Sequence, residues 1–194
     1  MKSEKWLIAS DIHGAVPYLE QLLEAYEREN AEQMILLGDY LYHGPRNSLP
    51  DGYGTKDAAL ILNDFSKNHE LLCVRGNCDA EVDQYVLDFP IVADYFVLFN
   101  GDTDIFATHG HIYNEYEHPY LAPGTVLLHG HTHVPACVRM KGFTYLNPGS
   151  VSLPRGGSEH SYMTFDGTDF IWKNLQGVEF KRFTVEKKED KDLW

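Results

Sequence analysis

Five short polar clusters, each placed directly after an apolar run, constrain this chain more than any other feature. They are Ser10-Asp11-Ile12-His13-Gly14, Gly38-Asp39, Gly76-Asn77-Cys78-Asp79, Thr108-His109-Gly110-His111 and Gly130-His131-Thr132-His133. The apolar runs before them, around residues 6–10, 34–37, 71–74, 105–108 and 126–128, have the length of buried strands. Open α/β sheets bind ligands at the loops that follow their strands. The five clusters are therefore expected to meet at one edge of the molecule.

The rest of the sequence supports such a frame. Residues 17–29 repeat Leu19, Leu22, Leu23 and Tyr26 at helical spacing, and a second helix is expected over about 55–68. With strands at 6–10, 34–37 and 71–74 this gives a β-α-β-α-β run, which builds a parallel sheet. The second half changes to short strands: 95–99 and 105–108 around Asn100-Gly101, 126–128, 136–140 and 143–146 around Lys141-Gly142, then 161–165, 170–172 and 180–185. No repeat or long linker divides the chain, so two sheets in a single domain over 1–185 are expected, followed by a charged tail at 186–194. The loop over 41–54, rich in Gly, Pro and Asn, is the one long excursion, and loops of that kind often line sites.

Composition narrows the function. The 194 residues are 43% hydrophobic and 23% charged, ordinary values for a folded domain. Sixteen Lys and Arg against 29 Asp and Glu leave a net charge of −13, and the tail segment 186–192, with three Lys and four acids, supplies only −1 of it. Such a chain gains no counterion release on nucleic acid or an anionic membrane, whereas divalent cations are attracted. No stretch is long and apolar enough for a transmembrane helix or a signal-peptide core, so a cytoplasmic protein is expected. Cys73, Cys78 and Cys137 show neither a disulfide framework nor zinc-type pairing, and reduced thiols are expected.

In extended backbone residues i and i+2 face the same side, so Asp11 with His13, and His131 with His133, can each present two ligands to one cavity. Carboxylate, imidazole and amide donors without thiolate suit Mn, Fe, Zn or Mg. Each cluster taken alone is more simply a turn, a helix cap or a satisfied histidine. Their conjunction argues otherwise, because all five follow strand-like runs and six of the ten histidines lie between His109 and His133.

In this order the clusters resemble the calcineurin-like metallophosphoesterases, whose pattern is DxH, GD, GNH(D/E), H and GHxH. The resemblance spans residues 9–150. The segments from Gly38 through Asn47, from Arg75 through Gln84, and Asn147-Pro148-Gly149-Ser150 are similar to the YfcE-type bacterial phosphodiesterase branch of that family. The resemblance implies an α/β fold, a four-layer αββα sandwich with two mixed β-sheets. It implies that Asp11, His13 and His133 hold one divalent metal ion and Asn77, His109 and His131 a second, with Asp39 bridging them. Manganese is the leading expectation, with Fe, Zn or Mg as alternatives. Cys78 departs from the pattern, since many members carry a His there as general acid.

The implied reaction is hydrolysis of a small phosphodiester by a hydroxide held between two metals. Two divalent ions, two carboxylates and one hydroxide leave a formal charge of about +1, which suits a diester monoanion. His43 and His111 are candidate proton sources for the leaving group; the plainer readings are a solvent-facing loop residue and a side chain that orients a ligand. Arg46 and Cys78 are candidate substrate contacts, against the alternatives of an ion pair and a small packing residue. Rival functions are a phosphomonoesterase or nucleotidase on the same metals, and a metal-binding interaction scaffold resembling the small subunit of the retromer coat. A closed structural zinc site is disfavoured by the excess of His and Asp over Cys. No stable nucleic-acid or membrane partner is expected, and 25 aromatic residues make a homo-oligomer unsurprising.

Overall fold

The computed structural model describes residues 4–100 and 103–186. At its centre strand β1 (Trp6–Ala9) pairs in parallel with β2 (Gln33–Leu36), and β2 in parallel with β3 (Glu70–Cys73). A second sheet runs in the order β4 (Tyr95–Asn100), β5 (Thr103–Thr108), β6 (Thr125–Leu128), β8 (Phe143–Asn147) and β7 (Ala136–Arg139). Within it β5, β6 and β8 are parallel, and the edge strands β4 and β7 are antiparallel. The chain then returns to the first sheet, where β9 (Ser161–Phe165), β10 (Asp169–Asn174) and β11 (Glu179–Thr184) extend it antiparallel to six strands.

The sequence of β1 explains its central place. All four of its residues are buried: Leu7 and Ala9 pack towards the helices, Trp6 and Ile8 towards the other sheet. A strand covered on both faces needs a continuous apolar run rather than alternation. Helix α1 (Val16–Glu29) buries Leu19, Leu22, Ala25 and Tyr26, and α2 (Thr55–Ser66) buries Ala58, Ala59, Leu62 and Phe65 against the same outer face. Pro17 at the start of α1 and left-handed Asn30 at its end (φ 50°) mark the boundaries. Between the sheets lies a second core containing Ile35, Leu37, Val126, Leu128, Phe165 and Trp172.

The expected sandwich of two mixed sheets is thus present. Beyond the five-stranded sheet, however, Phe106, Leu127, Phe143 and Tyr145 are covered by Tyr113 and Leu121 from the irregular segment 109–124, with no helix there. A one-turn helix, α3 (Asp83–Val86), is additional to the sequence expectation, because four residues are too short to show periodicity. The β4–β5 hairpin forms with Asn100 opposite Thr103, although residues 101–102 lie outside the described residues, as does the tail beyond Glu186. Among the described residues no helix is long and apolar enough to cross a membrane. Cys73, Cys78 and Cys137 are free thiols.

Candidate metal centre

All five polar clusters follow the carboxyl ends of parallel strands, three from the first sheet and two from the second, and their side chains converge across the sheet boundary. Six non-glycine residues among those described have a left-handed backbone. Five of them are Asp11, His13, Asp39, His131 and His133, at φ 59°, 48°, 59°, 65° and 62°. Alternation in extended backbone therefore is not what brings each pair together; tight left-handed turns do so. Such conformations cost roughly 1–3 kcal/mol each and persist only where neighbours enforce them. Here the loop after β1 bonds to the loop after β2: Asp11 donates its amide to the Gly38 carbonyl at 3.1 Å and His13 to that of Asp39 at 2.9 Å.

The donor atoms fall into two overlapping groups. Asp11 Oδ1 lies 3.7 Å from His13 Nε2 and 3.4 Å from His133 Nε2, and the two imidazole nitrogens are 3.3 Å apart. Asp39 Oδ2 lies 3.6 Å from His13 Nε2 and 3.5 Å from His109 Nε2, so one carboxylate reaches both groups. Across from it, His109 Nε2 is 3.1 Å from Asn77 Oδ1 and 3.3 Å from His131 Nδ1. All seven residues singled out from the sequence as metal ligands are brought together.

Two features fit a cation here. His13, His109 and His133 each direct Nδ1 at a backbone carbonyl, of Tyr42 at 2.8 Å, Leu37 at 2.6 Å and Leu153 at 2.6 Å. A carbonyl can only accept, so Nδ1 carries a proton in each ring, and in the neutral ring Nε2 has its lone pair directed at the centre. The Oδ1 of Asp11, wholly buried, has no hydrogen-bond partner. A buried carboxylate oxygen left bare is costly unless an ion or water completes it.

Residues outside the seven candidate ligands hold them in place. Asp79 accepts from the amides of Asp39, Tyr40 and Gly76 at 2.8, 2.8 and 2.6 Å, which ties the β2 and β3 loops together. The Cys78 amide donates to Asp39 Oδ1 at 2.8 Å, and the His131 amide to Asp11 Oδ2 at 3.0 Å. Ser150 and Ser152 donate their hydroxyls to the Asp11 carbonyl, and Asn147 donates to that of Gly130. The segment after β8 thus clamps two ligand loops. A Cβ on Gly76 would collide with the Asp39 backbone and carboxylate, and one on Gly130 with Ser10 and Asp11, so both positions need glycine.

The centre opens into a cavity of about 320 Å³ lined by Arg46, Asn47, Cys78, His131, His133 and Arg155, among others. Arg46 has no ion-pair partner among the described residues and is exposed there. Arg155, which the sequence reading did not identify, donates to Asn47 Oδ1 at 2.5 Å. His43 does not line the cavity; its ring is held between Tyr42 and Tyr53. His111 stands edge-on to His109 with centroids 5.4 Å apart, and 6.4 Å from the ring of His131.

Burial disfavours charge on Asp11 and Asp39, yet the surrounding imidazoles hold both carboxyls below the ordinary carboxylate range. Burial likewise opposes charge on His109, but the adjacent Asp39 overcomes it and lifts the imidazole to about 9. His131 is pushed down to about 4 by burial and by the charge of His109. Burial and then Asp39 push the Cys78 thiol far up, so it is neutral at any ordinary pH. Without a metal the site keeps protons that a divalent cation would displace.

Comparison with known proteins agrees with this geometry. Residues 5–169 match the family described as calcineurin-like phosphoesterase superfamily domain. The chain is 43% identical to phosphodiesterase YfcE of Escherichia coli K12 over 162 residues, 84% of this chain and 87% of that protein. It is 29% identical to the probable metallophosphoesterase YsnB of Bacillus subtilis, over 80% of each chain. The solved structure of Yfce, a phosphoesterase from E. coli, superposes with a TM-score of 0.89 at 38% identity, covering 94% of this chain and all of that one. Family membership implies divalent metal ions, in keeping with the clusters of Asp and His donors found here. This chain belongs to the calcineurin-like phosphoesterase superfamily.

Proposed function

We propose that the protein is a metal-dependent phosphodiesterase acting on small diesters at a binuclear centre. Asp11, His13 and His133 would hold one divalent ion and Asn77, His109 and His131 the other, with Asp39 placed to reach both. The observation that carries this reading is the arrangement of lone pairs: three Nδ1 protons committed to carbonyls, with three Nε2 atoms and a bare Asp11 Oδ1 facing one another. When bound, a divalent pair acidifies water and neutralises charge on phosphoryl oxygens. Manganese is the ion assigned first, with Fe, Zn or Mg as alternatives.

The protein's own residues orient and select. Arg46 and Arg155 line the mouth and can meet the non-bridging oxygens of a phosphate. The net charge of −13 disfavours long polyanions and leaves small monoanionic diesters as substrates. At the position where many relatives carry an acid, Cys78 supplies only a neutral thiol. His43 is turned away between two tyrosines and His111 braces His109. None of the three is assigned the role of general acid. The test is Asp39→Asn, which removes the shared charge. Loss of most bound metal and of diester hydrolysis is expected, and full turnover in that variant contradicts the reading.

A further inference from the structure

The chain has six arginines. Arg75, Arg139 and Arg182 form ion pairs with acids, and Arg28 donates to the Tyr162 hydroxyl and the Leu175 carbonyl. The other two, Arg46 and Arg155, have no acid partner among the described residues, although acids outnumber Lys and Arg by 29 to 16. Both line the metal cavity. They gather about one neutral side chain: Arg155 donates to Asn47 Oδ1 at 2.5 Å, Asn47 donates to the His43 carbonyl at 2.7 Å, and Arg46 is its neighbour in the chain. The Arg155 amide donates to the His133 carbonyl at 3.1 Å, which fixes its backbone beside the centre. An amide oxygen orients a guanidinium without cancelling its charge, as a carboxylate would. Asp39, the one carboxylate lining the cavity, is committed elsewhere, with Oδ1 on the Cys78 amide and Oδ2 towards His13 and His109.

We propose that Arg46 and Arg155 form a subsite for a second anionic group of the substrate, a phosphomonoester on one arm of the diester. The proposal rests on the phosphodiesterase reading above and names its substrate class. The scissile group stays a monoanion, which the formal charge of about +1 on the centre already matches. The two guanidiniums are charge beyond that count. A terminal phosphate carries close to two negative charges near neutral pH and offers three acceptor oxygens to two planar forks. A carboxylate, with one charge, would leave half of the pair unmet. The cavity of about 320 Å³ is at the small end for ligand sites, so the arm between the two phosphorus atoms is short.

The test compares two diesters that differ only in the retained arm, ethyl 4-nitrophenyl phosphate and its 2-phosphonooxyethyl analogue. In each, water's oxygen bonds to phosphorus and 4-nitrophenolate departs, so the leaving group is the same. With manganese-loaded protein, kcat/KM is expected to be about tenfold higher for the phosphorylated ester, the low end for a hydrogen bond between charged groups. Arg46→Gln and Arg155→Gln, both at exposed positions, should each bring that ratio towards one. A second readout needs no metal: in chelator-stripped protein, phosphorus NMR titration should show ethyl phosphate bound more tightly than diethyl phosphate, and each variant should weaken that binding about tenfold. A ratio near one in the unaltered protein, or equal losses on both esters in the variants, overturns the proposal, since the arginines then hold the scissile phosphate. Binding of ethyl phosphate that both variants leave intact overturns it too. Failure of the loaded protein to hydrolyse either ester overturns the phosphodiesterase reading, and the substrate class with it.

Discussion

The carboxylate of Asp79 accepts a hydrogen bond from the backbone amide of Asp39 at 2.8 Å, so a residue outside the proposed ligand set fixes the one carboxylate that reaches both groups of candidate donors. It also accepts from the amides of Tyr40 and Gly76. Replacing it by Ala would orphan three backbone donors. Asp79→Ala is expected to lose at least about 3 kcal/mol in urea unfolding, since each of the three unsatisfied buried donors costs about 1–3 kcal/mol. Asp79→Asn should also destabilise, because its NH2 group must face an amide. Unchanged midpoints in both variants would contradict this account of the loop.

Gly76 faces Asp39 so closely that no side chain fits between the two loops. Gly76→Ala should therefore move the Asp39 carboxylate while leaving both sheets intact. The expected outcome is a native circular dichroism spectrum with fewer than two metal ions per chain by elemental analysis. Two ions per chain at full activity would show that the loops can yield.

His43 and His111 should behave differently on replacement. With its ring between Tyr42 and Tyr53 and outside the cavity, His43→Ala should leave the pH profile for an alkyl diester unchanged. His111→Ala removes the ring against His109 and should weaken metal affinity about tenfold, in the range for residues that orient a ligand. The alkaline limb of its pH profile, which reports a proton donor, should still not move. A shift of that limb in either variant would identify the missing proton donor.

Glu29 gives a pH dependence unrelated to the metals. Burial opposes its charge, but Lys173, Lys5 and the Tyr162 hydroxyl hold the carboxyl down at about 2, against an ordinary 4.5. A group depressed in the folded state contributes stability that is fully present above the unfolded value, and this contribution fades as pH falls from 4.5 towards 2. The contribution is roughly 2 kcal/mol, less than the whole shift implies because Lys5 is partly in water. Thermal melts of the metal-free protein should show Glu29→Gln less stable at pH 7 and the difference shrinking below pH 4.5. A constant difference down to the acid transition would argue against it.

Periodicity made much of the frame legible. The stripe of Leu19, Leu22 and Tyr26 gave α1, and the apolar runs ending at Ala9, Leu36 and Cys73 gave a parallel sheet, with ends within one or two residues of those observed. That Asp, Asn and His donors would gather was legible because they recur after strands in a fixed order, while their division between two ions was only implied by the family resemblance. What sequence could not show is how the backbone turns: left-handed geometry at five of the candidate ligands depends on contacts between loops far apart in the chain, not on local preference. For the same reason Arg155, the carbonyls of Tyr42 and Leu153, and the reach of Asp79 to the amides of Asp39 and Tyr40 carried no local signal. The irregular cover of the second sheet was equally hidden, since Tyr113 and Leu121 show neither period.

The central claim is metal-dependent cleavage of diesters at this centre. It is tested most directly by stripping the protein with a chelator, restoring Mn, Zn or Mg separately, and comparing bis(4-nitrophenyl) phosphate with 4-nitrophenyl phosphate. The account predicts no turnover in the stripped protein, recovery with Mn as two ions bind per chain, and faster cleavage of the diester than of the monoester. Tight binding of two ions with neither ester hydrolysed, or a monoester cleaved faster than the diester, would contradict it.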